Sequence, residues 1–277
     1  MKFAVGLPNV REYGDPALLV ELGHAAELAG WDGVFVWDHL AYREPEAPVA
    51  DPWIAVAGLA DRTQRIALGV MVCALARRRP WKVAREAASL DVLSGGRLRF
   101  GAGLGSLAEE EFAAFGEDAD PRVRATRLDE ALEIVAGLWT GEPFAYDGVH
   151  HVVRSARFLP TPLQRPRIPI WIAGRWPARP PFRRAARWDG VFPTRRDVGR
   201  AETMSPGQLA EIVAYTRSQR LGDEPLDVVI EGQTDGPDAA RIDSYADVGL
   251  TWWIEKLGWF RGSPEEMRAR IAAGPPA

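Results

Sequence analysis

The chain has very little cysteine. Its 277 residues include a single one, Cys73, which excludes a disulfide framework and a cysteine-rich metal site. Acidic and basic residues nearly balance, and the formal net charge of -4 provides no basic field that would attract nucleic acid or an anionic membrane. No apolar run approaches the length of a membrane span, and Pro8 interrupts the N-terminal MKFAVGLPN too early for a signal peptide. We therefore expect a cytoplasmic protein with no nucleic-acid or membrane partner.

Short apolar runs alternate with helical patterns along the chain. Continuous apolar runs are typical of parallel strands, which are buried on both faces. Eight such runs predict strands at 2–8, 33–38, 66–72, 97–103, 168–174, 189–193, 226–232 and 251–257. Helical patterns, several of them opened by a capping residue followed by proline, predict helices at 16–29, from 52, and at 80–93, 124–139, 179–187, 206–219, 237–248 and 264–273.

Strict alternation of strands and helices favours a parallel sheet, and eight units favour its closure. We predict an α/β fold, a (β/α)8 TIM barrel that forms a single domain over residues 1–277. One irregular, proline-rich stretch, at about 141–167, reads as an insertion between helix 4 and strand 5 with a hairpin turn at Tyr146-Asp147-Gly148-Val149. We expect this insertion on the C-terminal face of the barrel, where active sites of this architecture lie.

Asp38 and His39 follow the second predicted strand. Polar residues at this end of a barrel strand are candidates for catalysis, and histidine exchanges protons near neutral pH. The alternative is that Asp38 caps a turn and His39 packs against the loop. We favour catalytic roles for both residues, with Asp38 also contacting the cofactor, because of their position rather than their type.

Glycines mark the ends of the fourth and fifth strands. Gly103, Gly105 and the adjacent Ser106 would allow a flat or phosphorylated ligand to approach the backbone, although the spacing does not match a dinucleotide-binding fingerprint. Beyond strand five, Gly174 and Arg175, with Thr194 at the end of strand six, form a candidate phosphate cradle; the alternative is a glycine turn with surface arginines.

Other polar residues give less specific signals. The arginines that follow strand three, at 77–79, are interpreted as a solvated basic loop. Glu231 and Glu255 end strands seven and eight, and either side chain could point into the mouth. Some of the tryptophans, Trp176, Trp252 and Trp253, could line an aromatic pocket or belong to the core. His150 and His151 lack the spacing of a metal site, and we expect no metal.

The order of these segments resembles the bacterial luciferase-like family of flavin- and deazaflavin-dependent oxidoreductases. The resemblance covers nearly the whole chain. It is carried by MKFAVGLPN, AELAGWDGVFVWDHL (26–40), IALGVMV (66–72), SLDVLSGGRLRFGAGLG (89–105), EEFAAFG (110–116), RLDEALEIVAGLW (127–139) and PTPLQRPRIPIWIAG (160–174).

The resemblance implies a flavin-type cofactor at the mouth of the barrel, either FMN or coenzyme F420. It implies a bulge on strand three, with a non-proline cis peptide near Met71 and Val72, against which the cofactor ring lies. It places the cofactor phosphate at Gly174 and Arg175, with Thr194 nearby, and suggests a homodimer. Sugar-phosphate dehydrogenases of the deazaflavin branch carry an acidic residue where Ser106 stands, so we expect a different substrate and a different general acid.

The first hypothesis is therefore an oxidoreductase or monooxygenase acting on a small organic substrate. It would use F420 for hydride transfer, or reduced FMN with oxygen and a flavin reductase as partner, with His39 as proton donor or acceptor. The second is a flavin-binding protein of the same fold that has no activity. A metal-dependent hydrolase on this fold is disfavoured because a His-x-His on strand one and ligand carboxylates are missing.

Overall fold

The computed structural model describes residues 1–199, 202–234 and 239–276, without the side chains of 239–241. Its strands are β1 Lys2–Leu7, β2 Gly33–Val36, β3 Ala67–Val70, β4 Cys73–Ala74, β5 Phe100–Gly103, β6 Phe144–Asp147, β7 Val152–Ala156, β8 Ile170–Trp176, β9 Gly190–Arg195, β10 Asp227–Gly232 and β11 Trp252–Lys256. Its helices are α1 Pro16–Leu28, α2 Pro52–Arg62, α3 Pro80–Leu93, α4 Ala108–Glu111, α5 Pro121–Trp139, α6 Pro180–Ala185, α7 Pro206–Ser218, α8 Ala239–Ala246 and α9 Pro264–Ala272.

The predicted barrel is confirmed. Nine parallel strands follow the order β3-β2-β1-β11-β10-β9-β8-β5-β4. β3 and β4 are two pieces of the third predicted strand, interrupted at Met71-Val72, whose peptide bond is cis as the resemblance implied. β3 and β4 stand at the two ends of this order, and β3 pairs with β2 while β4 pairs with β5. Since both belong to one divided strand, the sheet closes into a barrel, and the nine strands fill eight positions.

Several helices begin where an acceptor side chain precedes a proline. The carboxylates of Asp15, Asp51 and Asp120 accept hydrogen bonds from the first backbone N–H groups of α1, α2 and α5. Ser205 and Ser263 form capping boxes at α7 and α9. The fourth predicted helix therefore starts at Pro121, before the expected residue 124. For α8, the predicted start at Pro237 lies outside the described residues.

The interior of the barrel is apolar and aromatic. Phe35 lies against Trp171 and Trp252, with ring centroids 5.4 and 5.9 Å apart, and Met71 of the strand-three break packs in the same cluster. Trp252 and Trp253 are buried in the core, and Trp176 packs against Phe182 and Tyr215. All three tryptophans are therefore buried in the core, and Trp252, the first residue of β11, stands at the end of the barrel away from the mouth. In the described residues, no helix is long and apolar enough to span a membrane.

The insertion lies elsewhere than expected. It joins the end of α5 to the start of β8, which places its base at the N-terminal end of the barrel, where Gln164 bonds to Asp91 and to the Leu98 carbonyl. The prediction that the insertion lies on the C-terminal face of the barrel is therefore wrong for the base of the insertion. The predicted hairpin is confirmed as the antiparallel pair β6–β7, with its turn closed by a 2.9 Å bond from the Gly148 N–H to the His151 carbonyl.

A buried carboxylate on α5 holds the tip of this hairpin. Glu130 accepts hydrogen bonds from the backbone N–H groups of Val149, His150 and His151, at 2.7 to 3.1 Å, and lies 3.2 Å from the His151 ring nitrogen Nδ1. Burial raises the pKa of the Glu130 carboxyl, but these donors outweigh it and the net pKa lies below its ordinary value. The charged Glu130 carboxylate therefore attaches the tip of the insertion to the barrel.

We predict that Glu130→Gln lowers the free energy of unfolding by about 1–3 kcal/mol at about pH 7, since hydrogen bonds to a charged acceptor are lost. A carboxyl whose pKa falls on folding stabilises the protein above its unfolded pKa, and that contribution is lost as pH falls through the folded pKa. The difference between variant and native protein should therefore shrink below about pH 4.

Urea unfolding across this pH range measures the effect. The matched control is Glu142→Gln, at an exposed carboxylate of the same insertion, which should change the free energy of unfolding by less than about 0.5 kcal/mol. A Glu130→Gln difference that stays constant with pH would show that the charge of Glu130 does not hold the hairpin.

Candidate active site at the mouth of the barrel

Asp38 lies just beyond β2 and is 7% exposed. Its Oδ2 accepts a 2.9 Å hydrogen bond from the backbone N–H of Ala74, immediately after the break in strand three. Its Oδ1 lies 2.8 Å from Arg78 Nη2 and 3.1 Å from Arg77 Nη2. These contacts tie the end of the second strand to the third. They give Asp38 a positioning role, and its predicted contact with a cofactor stays a prediction.

Of the three loop arginines, Arg79 is exposed as expected, but Arg77 and Arg78 are paired with carboxylates, so their interpretation as solvated side chains is wrong. The Arg77 side chain is 4% exposed and bridges two carboxylates, with Nη2 on Asp38 and Nη1 3.0 Å from Glu111 Oε2. The Arg78 side chain is also largely buried. A buried guanidinium needs charged partners to offset the loss of water, and both partners are distant in sequence.

His39 is fixed by two residues that the sequence did not reveal. Its ring nitrogen Nδ1 lies 2.8 Å from Oε1 of Glu111, which also accepts a 3.0 Å bond from the backbone N–H of Leu40. Asn9, fully buried after β1, accepts from the His39 N–H and donates to the His39 carbonyl. Glu111 and Asn9 stand in stretches that carry the family resemblance, but no local pattern assigns either residue a role.

This arrangement selects one form of the His39 imidazole. A carboxylate at Nδ1 favours the proton on that nitrogen, so in the neutral ring Nε2 becomes the acceptor. No hydrogen bond to Nε2 occurs within the described part of the chain. His39 can therefore accept a proton from a ligand at Nε2, or return one.

An aromatic wall surrounds His39, composed of Trp37, Tyr42, Trp259 and Phe260. The His39 ring lies 4.9 Å from that of Tyr42, edge-on, and Trp37 stacks parallel to Phe260. The wall differs from the tryptophan set suggested by the sequence. Its residues follow the ends of β2 and β11, so barrel closure brings them together.

Glu231 and Glu255 have different surroundings. Glu231 accepts a 3.1 Å bond from the Trp37 indole N–H and lies 3.6 Å from Lys256, which places it beside the aromatic wall. Glu255 is fully buried and is bound by Thr234, Trp253 and Arg261. Glu231 therefore belongs to the mouth, whereas Glu255 holds the end of β11.

The predicted glycines make room for the strand-three break. A Cβ at Gly103 would lie 3.0 Å from the Val72 side chain, and one at Gly105 would lie 2.9 Å from Ala74 and from Phe112. Gly105 also has a φ of +79°, which disfavours other residues. These contacts account for both glycines, while their approach to a cofactor, and that of the exposed Ser106, stays a prediction.

The candidate phosphate cradle is brought together on adjacent strands. Arg175 of β8 is in register with Thr194 of β9, and the Thr194 hydroxyl lies 3.4 Å from the Gly174 carbonyl. A Cβ at Gly174 would lie 2.8 Å from Pro181 of α6, which explains the glycine. Arg175 and Thr194 are exposed, and no described carboxylate pairs with Arg175. Both side chains are thus available to a ligand.

The family model of the luciferase-like monooxygenases matches residues 1–206. The chain belongs to this family. It is 33% identical over 178 residues to an F420-dependent glucose-6-phosphate dehydrogenase of Gordonia bronchialis, covering 62% of this chain and 52% of that protein. It is 32% identical over 249 residues to an F420-dependent hydroxymycolic acid dehydrogenase of Mycobacterium tuberculosis, covering 83% and 68%.

The fold has solved counterparts. A monooxygenase from Streptomyces bottropensis superimposes with a TM-score of 0.77 at 21% identity, covering 98% of this chain and 96% of that one. At this identity the likeness concerns the fold alone. The chain spans about half the length of several curated relatives that it matches, including the Gordonia bronchialis protein.

The Arg77 bridge yields a stability prediction. Arg77→Met should lower the free energy of unfolding by about 3–5 kcal/mol, because it leaves Asp38 and Glu111 buried with less compensating charge. Arg79→Met, two residues away at an exposed side chain, is the control and should cost less than about 0.5 kcal/mol. Urea unfolding of both variants measures the difference. Equal, small effects would show that the bridge does not stabilise the mouth.

Proposed function

We propose that the protein is an oxidoreductase that transfers a hydride between F420 and a small organic substrate carrying a hydroxyl or carbonyl group. The observation that carries this proposal is His39, held through Nδ1 by Glu111, with Nε2 left available at the C-terminal mouth. Such a histidine suits the proton that must move with the hydride when an alcohol and a carbonyl interconvert.

The residues at the mouth fit a cofactor of this class. The cis bulge at Met71-Val72 stands at the carboxyl end of strand three, with the half-buried Val72 between β3 and β4. Arg175 and Thr194 supply an exposed cation and an exposed hydroxyl for a phosphate. We propose that Val72 and Met71 support the ring, that Gly174, Arg175 and Thr194 hold the phosphate, and that Gly103, Gly105 and Ser106 line the space between them.

When bound, F420 supplies a carbon that accepts or donates a hydride. The protein supplies the rest. In the oxidative direction His39 Nε2 accepts the substrate hydroxyl proton while the carbon-bound hydrogen leaves as hydride, and in the reverse direction it returns that proton to the carbonyl oxygen. Glu111 stabilises the imidazolium formed in the first case, since its carboxylate faces Nδ1. Asp38 and Arg77 keep Glu111 and His39 in place.

F420 is preferred to FMN because both curated relatives named above are F420-dependent dehydrogenases. Those dehydrogenase names also favour turnover over the alternative of a flavin-binding protein without activity. The second candidate, a monooxygenase using reduced FMN, oxygen and a partner reductase, rests on the family description. A homodimer stays a prediction.

The charges at the mouth favour a neutral substrate. Around the aromatic wall, Arg11 pairs with Glu44, Lys256 with Glu231, and Arg77 and Arg78 with the carboxylates of the His39 network. A phosphorylated sugar would have to displace one of these partners. Ser106, which replaces an acidic residue of the sugar-phosphate dehydrogenases, also argues against a sugar phosphate as substrate. We therefore propose an uncharged alcohol or carbonyl compound with an apolar or aromatic body.

The cofactor test is a parallel fluorescence titration with F420 and with FMN. We expect saturable binding of F420 and weaker or absent binding of FMN. Arg175→Gln should weaken F420 binding by roughly tenfold, because one charge-assisted contact with phosphate is lost. Binding of FMN alone would replace the proposal by the monooxygenase, and binding of neither would remove the cofactor site.

The role of His39 is tested separately by turnover. His39→Gln should bind F420 within about threefold of the native protein and should oxidise secondary alcohols about 100-fold to 10,000-fold more slowly, as expected for loss of an acid–base group. His150→Gln, at an exposed histidine on the insertion, is the control and should leave the rate unchanged. Equal rates for His39→Gln and native protein would assign proton transfer to another group.

A further inference from the structure

A polar cavity of about 260 Å³ lies at the N-terminal end of the barrel, opposite His39. We call it the basal cavity. It is lined by Lys2, Asp32, Arg65, Ala67, Gly96, Arg97, Arg99 and Trp252. Most of these residues stand at or just before the first residues of neighbouring strands. The lining contains four cations and a single carboxylate, so the cavity is strongly cationic.

These four cations differ from several arginines elsewhere in the protein in having no ion-pair partner within the residues that the structure describes. Arg77, Arg184 and Arg261 each pair with a carboxylate within 4.0 Å. In the described part of the chain, no ion pair joins a carboxylate to the side-chain nitrogens of Lys2, Arg65, Arg97 or Arg99; the Glu27 carboxylate contacts Arg65 only at its backbone N–H. The carboxylate in the lining, Asp32, accepts a hydrogen bond from the Phe3 N–H. The basal cavity thus gathers cations without a paired anion.

Arg97 and Arg99 differ in how their N–H groups are used. All five N–H groups of Arg97 are directed to neutral oxygen acceptors: the Ser94, Ile66, Ala60 and Thr63 carbonyls and the Thr63 hydroxyl. Arg97 therefore contributes charge but no free donor. Arg99 binds the Leu98 carbonyl and Gln164 through Nη1 only, which leaves Nε and Nη2 without a described acceptor.

Two more cations stand at the rim. The ammonium of Lys2 lies 5.0 Å from the centroid of the Trp252 ring, and Lys2 is exposed. Arg65 donates to the Trp31 and Glu27 carbonyls and is also exposed. Burial lowers the pKa of Arg99, which indicates a guanidinium that loses water without gaining an ion pair. Arg99 and Lys2 are therefore the donors available to a ligand.

The described carboxylates near the basal cavity are not ion-paired with its four cations. Glu27 accepts the backbone N–H groups of Gln64, Arg65 and Ile66. Asp91 is bound by Leu163 and Gln164, and Asp227 by Trp171 and Thr251. These carboxylates lower the positive potential of the basal cavity, but their oxygens accept hydrogen bonds from other donors.

We propose that the basal cavity binds a phosphate group, with Arg99 and Lys2 as its donors and Arg97 and Arg65 as supporting charges. A tetrahedral oxyanion accepts several N–H groups at once and suits a guanidinium fork. The volume exceeds that of a few water molecules, each of about 30 Å³, so a phosphate with part of its hydration fits. The site is separate from the cofactor cradle at Arg175, which lies at the opposite end of the barrel.

The test is isothermal titration of the full chain with inorganic phosphate at constant ionic strength, with chloride as the compensating anion. We expect saturable, Arg99-dependent binding in the millimolar range or tighter, in addition to any binding at the Arg175 cradle. Arg99→Gln should weaken this binding by roughly tenfold, and Lys2→Gln by about threefold. Since Lys2 is exposed, its variant keeps the test decisive if Arg99→Gln fails to fold.

Two further variants locate the site. Arg122→Gln removes an exposed arginine at the start of α5 and should leave phosphate binding unchanged. Arg175→Gln removes the cation of the cofactor cradle, where inorganic phosphate is also expected to bind, and should leave the Arg99-dependent binding in place. Loss of binding in Arg175→Gln with none in Arg99→Gln would overturn the proposal, as would the absence of saturable binding to the native protein.

A second titration distinguishes the two sources of a phosphate group. Glycerol 3-phosphate that binds more tightly than inorganic phosphate, with the same dependence on Arg99, would identify a phosphate monoester as the ligand. Inorganic phosphate that binds more tightly would identify the free ion. Binding of glycerol 3-phosphate that is insensitive to both Arg99→Gln and Lys2→Gln would contradict a monoester site in the basal cavity.

Discussion

The guanidinium of Arg77 is the contact on which the mouth of the barrel depends. It lies between two buried carboxylates, Asp38 after β2 and Glu111 at the end of α4, and it comes from the turn after the strand-three break. Removing ions from water costs several kcal/mol each, and this cost is offset only when opposite charges meet with good geometry. Each of the three segments therefore needs the other two in place to offset the burial of its charge. His39 obtains its orientation from Glu111, so the position of Nε2, the proposed proton acceptor, follows from this ion network.

The barrel could be predicted from the sequence because its signals are local. Strands buried on both faces are short and continuously apolar, and helices open on an acceptor followed by proline at Asp15, Asp51 and Ser263. The break of strand three at Met71-Val72 has no such signal. Its residues are as apolar as those of a regular strand, so only the resemblance to a family indicated it. The single-domain assignment over the whole chain stays a prediction.

The active-site network was only half predictable. Asp38 and His39 were predicted as site residues from their place at a strand end, and the structure brings both into one network, while their catalytic roles stay a prediction. Arg77 was misread because a run of arginines on a loop looks the same whether water or carboxylates surround it. Its partners are 39 and 34 residues away in the sequence, and this separation hides the pairing. Likewise, the base of the insertion was placed at the wrong end of the barrel, because a run of prolines indicates irregular chain but gives no direction.

The two ends of the barrel balance charge in opposite ways. At the mouth each cation of the His39 network meets a carboxylate, so the surroundings of His39 carry little net charge, which is the basis for proposing a neutral substrate. At the base, Arg97 and Arg99 face neutral oxygens, because the chain there uses guanidinium groups to satisfy the carbonyls between α2, α3 and β5. This structural use of arginine carries positive charge into the base without a direct ion pair among the described residues. The proposed anion would complete there the charge balance that the mouth achieves with its own side chains.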